Sequence, residues 1–194
     1  MSISNNKKLI ILDRDGVINQ LSKYYVIRKR DFIFIKNSLL AISNLSKHKY
    51  YISIATNQSC VGRKFISKNQ LEELHFTIKK KLRRLGISLY HFAYCPHHPL
   101  NNCFCRKPKT GLIDEILKVN YFKFSEKWLI GDNITDLLAG ELRNFNLILV
   151  KTGLGEKNLK RVKKYSFSNL YICEDLKEAS ELILNYNKKS NFFL

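Results

Sequence analysis

The sequence predicts an α/β fold in three layers, a doubly wound parallel sheet with helices on both faces. Two observations carry this expectation. Runs of consecutive aliphatic residues such as Leu9-Ile10-Ile11-Leu12 lack the polar alternation of a half-exposed strand, so they read as strands buried on both faces. Between such runs lie segments with apolar residues at helical spacing, and strand alternating with helix is the pattern of parallel pairing.

The elements follow in order. Lys8 to Leu12 is the first strand. Asn37 to Lys47 is helical, with Leu39, Leu40, Ile42 and Leu45 on its apolar face. Tyr51 to Ala55 is the second strand, and Ser67 caps a helix that turns Leu71, Leu74, Ile78, Leu82 and Leu85 inward and ends at Gly86. Tyr90 to Tyr94 forms the third strand, followed by a helix from Gly111 to Val119 with Leu112, Ile113, Ile116 and Leu117 inward. Trp128-Leu129-Ile130 is the next strand, and Asn133 to Arg143 is a helix carrying Ile134, Leu137 and Leu138. Leu147 to Val150 is the fifth strand, and Tyr171-Ile172 adds an edge strand before a last helix near Leu176 to Leu184. The 194 residues suffice for one well-buried domain, expected over 1–186, with 187–194 as a frayed tail.

Composition narrows the class. No apolar stretch approaches the roughly 18 to 20 residues that span a bilayer, and Met1 to Lys8 leads into the first strand without a signal-like apolar region. A cytoplasmic monomer with no membrane partner is expected. The formal net charge is +18. Its densest runs are Lys79-Lys80-Lys81-Leu82-Arg83-Arg84 and Lys160-Arg161-Val162-Lys163-Lys164. The chain is also rich in Ile, Asn, Tyr and Phe and poor in Ala, Gly and Pro, the signature of an AT-rich coding sequence. The first run lies on a helix, where a charged face is solvated. The expectation is therefore no specific nucleic-acid partner, with some steering of anionic small molecules.

Chemistry gathers at strand ends. Asp13-Arg14-Asp15-Gly16 follows the first strand, at the edge where open α/β sheets bind ligands. Two acids at i and i+2 can attack as a nucleophile, transfer protons and hold a divalent cation. Thr56-Asn57-Gln58-Ser59 ends the second strand with hydroxyl and amide groups suited to phosphate oxygens. Arg106-Lys107-Pro108 supplies positive charge, and Gly131-Asp132-Asn133 with Asp136 ends a later strand.

A second cluster reads Cys95-Pro96-His97-His98-Pro99-Leu100-Asn101-Asn102-Cys103-Phe104-Cys105. The pairs Cys-x-His and Cys-x-Cys can wrap one tetrahedral ion. Three thiolates and one imidazole leave no open position, which points to structural zinc on Cys95, His97, Cys103 and Cys105. His98 is the alternative imidazole; the i+2 spacing of His97 mirrors the other pair. Such a site would fix the direction of Arg106 and Lys107, which follow directly.

The order acid pair, Thr, Lys, acid resembles the haloacid dehalogenase-like superfamily of phosphatases over about Leu9 to Thr152. The resemblance implies a three-layer, Rossmann-like core. The short gaps between the first three motifs have no room for that family's large cap domain. It also implies roles. Asp13 would be the nucleophile and Asp15 the proton carrier, with Thr56 and Lys107 holding the phosphoryl group. Magnesium would lie on Asp13, the Asp15 and Asn133 backbone carbonyls, and Asp132. Ser22, Lys23, Tyr24, Tyr25, Asn57, Gln58, Ser59 and Arg106 would read the substrate. Together with the Cys-Pro-His-His-Pro and Cys-x-Cys-Arg-Lys-Pro motifs, the pattern is similar to the branch that removes the 7-phosphate of D-glycero-D-manno-heptose 1,7-bisphosphate, in ADP-heptose and lipopolysaccharide-core synthesis. The alternative readings of the chain are a histidinol-phosphate phosphatase, a polynucleotide 3′-phosphatase and a non-catalytic zinc module that binds RNA.

Overall fold

The computed structural model describes residues 6–120 and 123–190, with side chains to Tyr186. The expected tail at 187–194 and the start of the chain, Met1 to Asn5, lie wholly or partly outside the described residues. Six strands form one parallel sheet in the order β3-β2-β1-β4-β5-β6. They are β1 Lys8–Leu12, β2 Tyr50–Asn57, β3 Leu89–Cys95, β4 Glu126–Gly131, β5 Asn146–Val150 and β6 Leu170–Cys173. The helices are α1 Ser38–Lys47, α2 Lys68–Arg84, α3 Gly111–Leu117, α4 Ile134–Glu141, α5 Gly155–Val162 and α6 Leu176–Ser190. The chain winds outward from β1 to β3, then returns to β4 on the other side of β1. The winding therefore reverses between β1 and β4, and that is where a crevice opens in such sheets.

The pleat sends alternate residues to opposite faces. Ile10, Leu12, Ile52, Ile54, Trp128 and Ile130 meet α1, α2 and α6 on one side. Leu9, Ile11, Leu129, Leu147 and Leu149 meet α3, α4 and α5 on the other. Both faces are covered, which explains why the strands carry no polar alternation. No insertion of domain size lies between β1 and β2 or between β2 and β3 among the described residues.

Helix ends follow local chemistry. Ser67 accepts from the Gln70 amide while the Gln70 side chain accepts from Ser67 N–H, so a reciprocal box opens α2. Gly86 takes φ +74 just past its end. Three expectations shift. Leu85 is 51 % exposed because α2 stops at Arg84 and Leu85 is its cap. Leu40 is exposed, since Ala41 rather than Leu40 completes the buried stripe of α1. The segment from Gly155 to Val162, of which only the charge run starting at Lys160 stood out, is a helix that buries Gly155, Asn158 and Val162 and solvates Lys160 and Arg161. On α2, Lys79, Lys80, Lys81, Arg83 and Arg84 are likewise all exposed.

Ile10 sits in the central strand with no solvent exposure. Ile10→Ala should cost about 2 to 5 kcal/mol, the lost transfer energy plus the cavity left in a sheet that cannot collapse. Chemical denaturation reads this directly, and a loss below about 1 kcal/mol would contradict the packing described.

Candidate active site

The carboxyl ends of β1, β2 and β4 open into a cleft of about 530 Å³. Asp13, Asp15, Thr56, Asn57, Arg106, Lys107, Asp132 and Asn133, all singled out from the sequence, line it together. Leu21, Asn102, Lys109, Thr135, Asp136 and Leu154 complete much of the wall.

At its floor lies a cation among acids. Lys107 is 3 % exposed, and its ammonium donates to Asp13 Oδ1 at 2.8 Å, to Asp136 Oδ1 at 2.5 Å and to the Ala55 carbonyl at 2.6 Å. Burial alone would pull its pKa down, but Asp13 and Asp136 outweigh burial and hold it above the ordinary lysine value. Carboxylate oxygens of Asp13, Asp132 and Asp136 lie within 4.8 Å of one another. Burial pushes Asp132 up to about 8, with Asp13 and Asp136 adding to the effect. Burial also raises Asp13 to about 6, although Lys107 opposes it. One lysine does not balance three acids, and such a cluster of oxygens is suited to a divalent cation.

The oxygens are not equivalent. Asp136 spends Oδ1 on Lys107 and Oδ2 on the Asn133 amide, as the N3 residue of the box that opens α4. Asp132 Oδ2 accepts from the Leu154 amide at 2.7 Å, leaving Oδ1 for the cluster. Its carboxylate is wedged between Gly16 and Gly153, where a Cβ on either would fall 2.1 Å from Oδ2. Both glycines also have positive φ, +90 and +62. The Asn133 carbonyl, expected to face a metal, instead accepts the Asp136 amide at 3.0 Å and starts the ladder of α4. The third acid of the cluster is Asp136.

Asp15 has a separate set of partners. Its carboxylate accepts from Arg14 Nε and Nη2 at 2.8 to 3.1 Å, from Asn19 Nδ2 at 2.8 Å and from Gln58 Nε2 at 2.7 Å. Gln58 Nε2 also donates to Thr56 Oγ1 at 2.8 Å, which leaves the threonine hydroxyl proton for another acceptor.

Several residues expected to read the substrate do other work. The Asn57 amide donates to the Lys107 carbonyl and accepts from the Lys107 N–H, both at 3.1 Å, and so ties the end of β2 to the Lys107 loop. Gln58 and Ser59 are buried behind the cleft. Tyr25 and Ser59 share a hydroxyl contact at 3.2 Å. Ser22, Lys23 and Tyr24 point to solvent, and Leu21 is the member of that loop which reaches the wall. Arg14 and Lys109 gain importance that their sequence context did not give them.

Beside the cleft, the Cys/His cluster is closed. Cys95 Sγ lies 3.6 Å from His97 Nδ1 and 3.5 Å from Cys103 Sγ, and Cys105 Sγ lies 3.2 Å from His97 Nδ1 and 3.5 Å from Cys103 Sγ. Tetrahedral ligands at about 2.3 Å from an ion stand about 3.7 Å apart, close to these spacings. The neighbouring His98 instead accepts the Leu100 amide at Nδ1.

The chain is similar to known proteins. A family model described as HAD-hydrolase-like matches residues 104–179. A D-glycero-beta-D-manno-heptose-1,7-bisphosphate 7-phosphatase of Neisseria meningitidis is 36 % identical over 180 residues, 93 % of this chain and 96 % of the relative. The protein of the same name from Helicobacter pylori is 33 % identical over 183 residues, 92 % of this chain and 99 % of its own. The crystal structure of D,D-heptose 1,7-bisphosphate phosphatase from B. bronchiseptica, complexed with magnesium and phosphate, superposes with a TM-score of 0.84 at 33 % identity, covering 92 % of this chain and 99 % of that one. With this identity sustained over nearly the full length of both chains, the chain belongs to the D-glycero-beta-D-manno-heptose-1,7-bisphosphate 7-phosphatase family of HAD-like hydrolases.

Proposed function

We propose that this protein is a magnesium-dependent phosphatase that removes the 7-phosphate of D-glycero-D-manno-heptose 1,7-bisphosphate through an aspartyl phosphate. The observation that carries the chemistry is the meeting of Asp13, Asp15, Lys107 and Asp132 in one open cleft at the point where the sheet reverses its winding. Family membership supports the substrate.

Asp13 attacks phosphorus as the ester bond breaks. Asp15 gives a proton to the departing sugar oxygen, then takes one from the water that hydrolyses the intermediate. Lys107, fixed by Asp136 and Ala55, and the Thr56 hydroxyl hold the phosphoryl oxygens as charge redistributes. Magnesium fits Asp13, Asp132 Oδ1 and the Asp15 carbonyl, and when bound it neutralises the acids and a phosphate oxygen. Arg106 and Lys109, on the same wall, suit the distal phosphate. Cys95, His97, Cys103 and Cys105 suit structural zinc, which would stiffen the loop that delivers Arg106 and Lys107. A monomer in the cytoplasm agrees with this role, and no helix among the described residues is long and apolar enough to cross a membrane.

Phosphate release should be fast on heptose 1,7-bisphosphate and slow on histidinol phosphate and on 3′-phosphorylated DNA; the reverse ranking would overturn the substrate. Asp13→Asn should abolish turnover with the fold intact. Asp15→Asn should lose about 10² to 10⁴ in rate, the usual worth of proton transfer. Wild-type turnover in Asp13→Asn would exclude the covalent route.

The raised acids set a pH dependence. A carboxyl at 3.8 when unfolded but at about 6 for Asp13 and about 8 for Asp132 when folded binds more protons in the folded state. Without a divalent cation, the contribution of these groups to stability therefore falls as pH rises from about 4 to about 8. Magnesium binds the ionised pair and reverses that loss. Added magnesium should raise Tm more at pH 8 than at pH 5, and equal shifts would contradict the assigned ligands.

Zinc should copurify in stoichiometric amount. Cys103→Ser should lower both zinc content and activity, because an incomplete ligand set no longer orders the loop before Lys107. Elemental analysis without zinc, on protein never exposed to chelator, would remove this assignment.

A further inference from the structure

The grip on Asp15 continues beneath the cleft. Arg14 is fully buried and engages every nitrogen of its guanidinium. Nε and Nη2 bind the Asp15 carboxylate, Nη2 also reaches Gln58 Oε1 at 3.0 Å, and Nη1 lies 3.1 Å from His75 Nε2. Arginine can only donate, so His75 must present a bare Nε2 and carry its proton on Nδ1. The ring comes from the buried stripe of α2 and packs on Phe92 at 4.3 Å and Tyr94 at 5.0 Å between centroids. Burial first, then Arg14 and Lys79, hold the imidazole far below the ordinary histidine pKa. A neutral ring orients Nη1 without competing for the charge of Arg14. A carboxylate at that position would draw the guanidinium away from Asp15.

We propose that His75 is a positioning residue for proton transfer: through Arg14 it fixes the Asp15 carboxyl where the leaving-group oxygen departs. The inference rests on the reading of Asp15 given above. His75 is absent from the cleft lining and meets no substrate. In the step concerned, a bond forms between Asp13 and phosphorus as the phosphorus–oxygen ester bond breaks. The proton of Asp15 passes to the ester oxygen, leaving Asp15 ionised to receive a proton from the attacking water.

The consequence is selective. An alkoxide needs that proton to leave, whereas a nitrophenolate leaves without it. A misplaced Asp15 should therefore damage hydrolysis of alkyl phosphates and spare aryl phosphates. A variant that merely loosened the fold would lower both alike.

His75→Phe keeps a ring against Phe92 and removes the acceptor. His75→Gln restores a neutral acceptor at similar reach. His75→Glu keeps Arg14 paired, so it guards against failure to fold, but it diverts the charge. The measurement is kcat/KM, which reports the first phosphoryl transfer, on heptose bisphosphate and on p-nitrophenyl phosphate, with melting temperature and metal content as controls. His75→Phe and His75→Glu should lose about 10- to 10²-fold on the alkyl ester, the scale of a small misplacement, and less than about 3-fold on the aryl ester. His75→Gln should stay within about 3-fold of wild type on both. Equal losses on the two esters, or wild-type alkyl turnover in His75→Phe or His75→Glu, would overturn the proposal. The same ratio is readable with glycerol 3-phosphate. Wild-type protein idle on the heptose ester but active on others would count against the substrate assignment and not against His75.

Discussion

The structure depends on Lys107 standing among carboxylates it only partly neutralises. Its ammonium is buried with Asp13 on one side, Asp136 on the other and the Ala55 carbonyl beneath. Removing one member of a buried ion pair strands the other charge at about 3 to 5 kcal/mol. That constraint joins β1, β2, α4 and the Lys107 loop at one point, because each supplies one of the partners. It also leaves an excess of negative charge, which suits a divalent cation.

Lys107 is carried by a loop with little core of its own, so other ties must fix it. The Asn57 amide clasps its backbone from the end of β2. Upstream, the Gln58 amide donates to the Cys95 carbonyl and the Gly62 amide to the Pro96 carbonyl, pinning the two loops edge to edge. They approach so closely that a Cβ on Gly62 would lie 2.1 Å from the His98 nitrogen. The closed Cys/His cluster stands on this platform, with Leu100 and Phe104 fully turned outward and contributing nothing to its anchoring.

What was legible in the sequence shares one property: local pattern alone decides it. Leu9 to Leu12 can only be a strand buried twice over, and acids behind it must fall at the strand's end. The meeting of Cys95, His97, Cys103 and Cys105 is likewise written in spacing. What stayed hidden depends on partners distant in sequence. His75 occupies a buried position of α2 that periodicity cannot distinguish from core, and Arg14 reads as a solvated turn residue until β2 brings Gln58 beside it. Helix α5 was obscured because its inward positions include Gly155 and Asn158. Asn158 is inward for a polar reason, donating to the Asp132 carbonyl at 3.0 Å. The loop of Ser22 to Tyr25 lies near the acids in sequence, but the chain turns there and Leu21 is its member that lines the wall.

Asp13 and Asp15 are two residues apart, yet the fold gives them opposite company. Asp13 shares its space with other acids and a single lysine, so its charge is costly until a cation arrives. Asp15 rests on donors alone, from Arg14, Asn19 and Gln58. The separation follows from geometry: consecutive odd positions leave a strand in the same direction, but Gly16 at φ +90 turns the chain immediately after Asp15 and Asn19 folds back to meet it. One motif of four residues thereby produces two carboxylates that do not compete for the same partners. The proposed mechanism needs a nucleophile and an acid at hand together, and the buried arginine between the two carboxylates in sequence holds one of them away from the other's company.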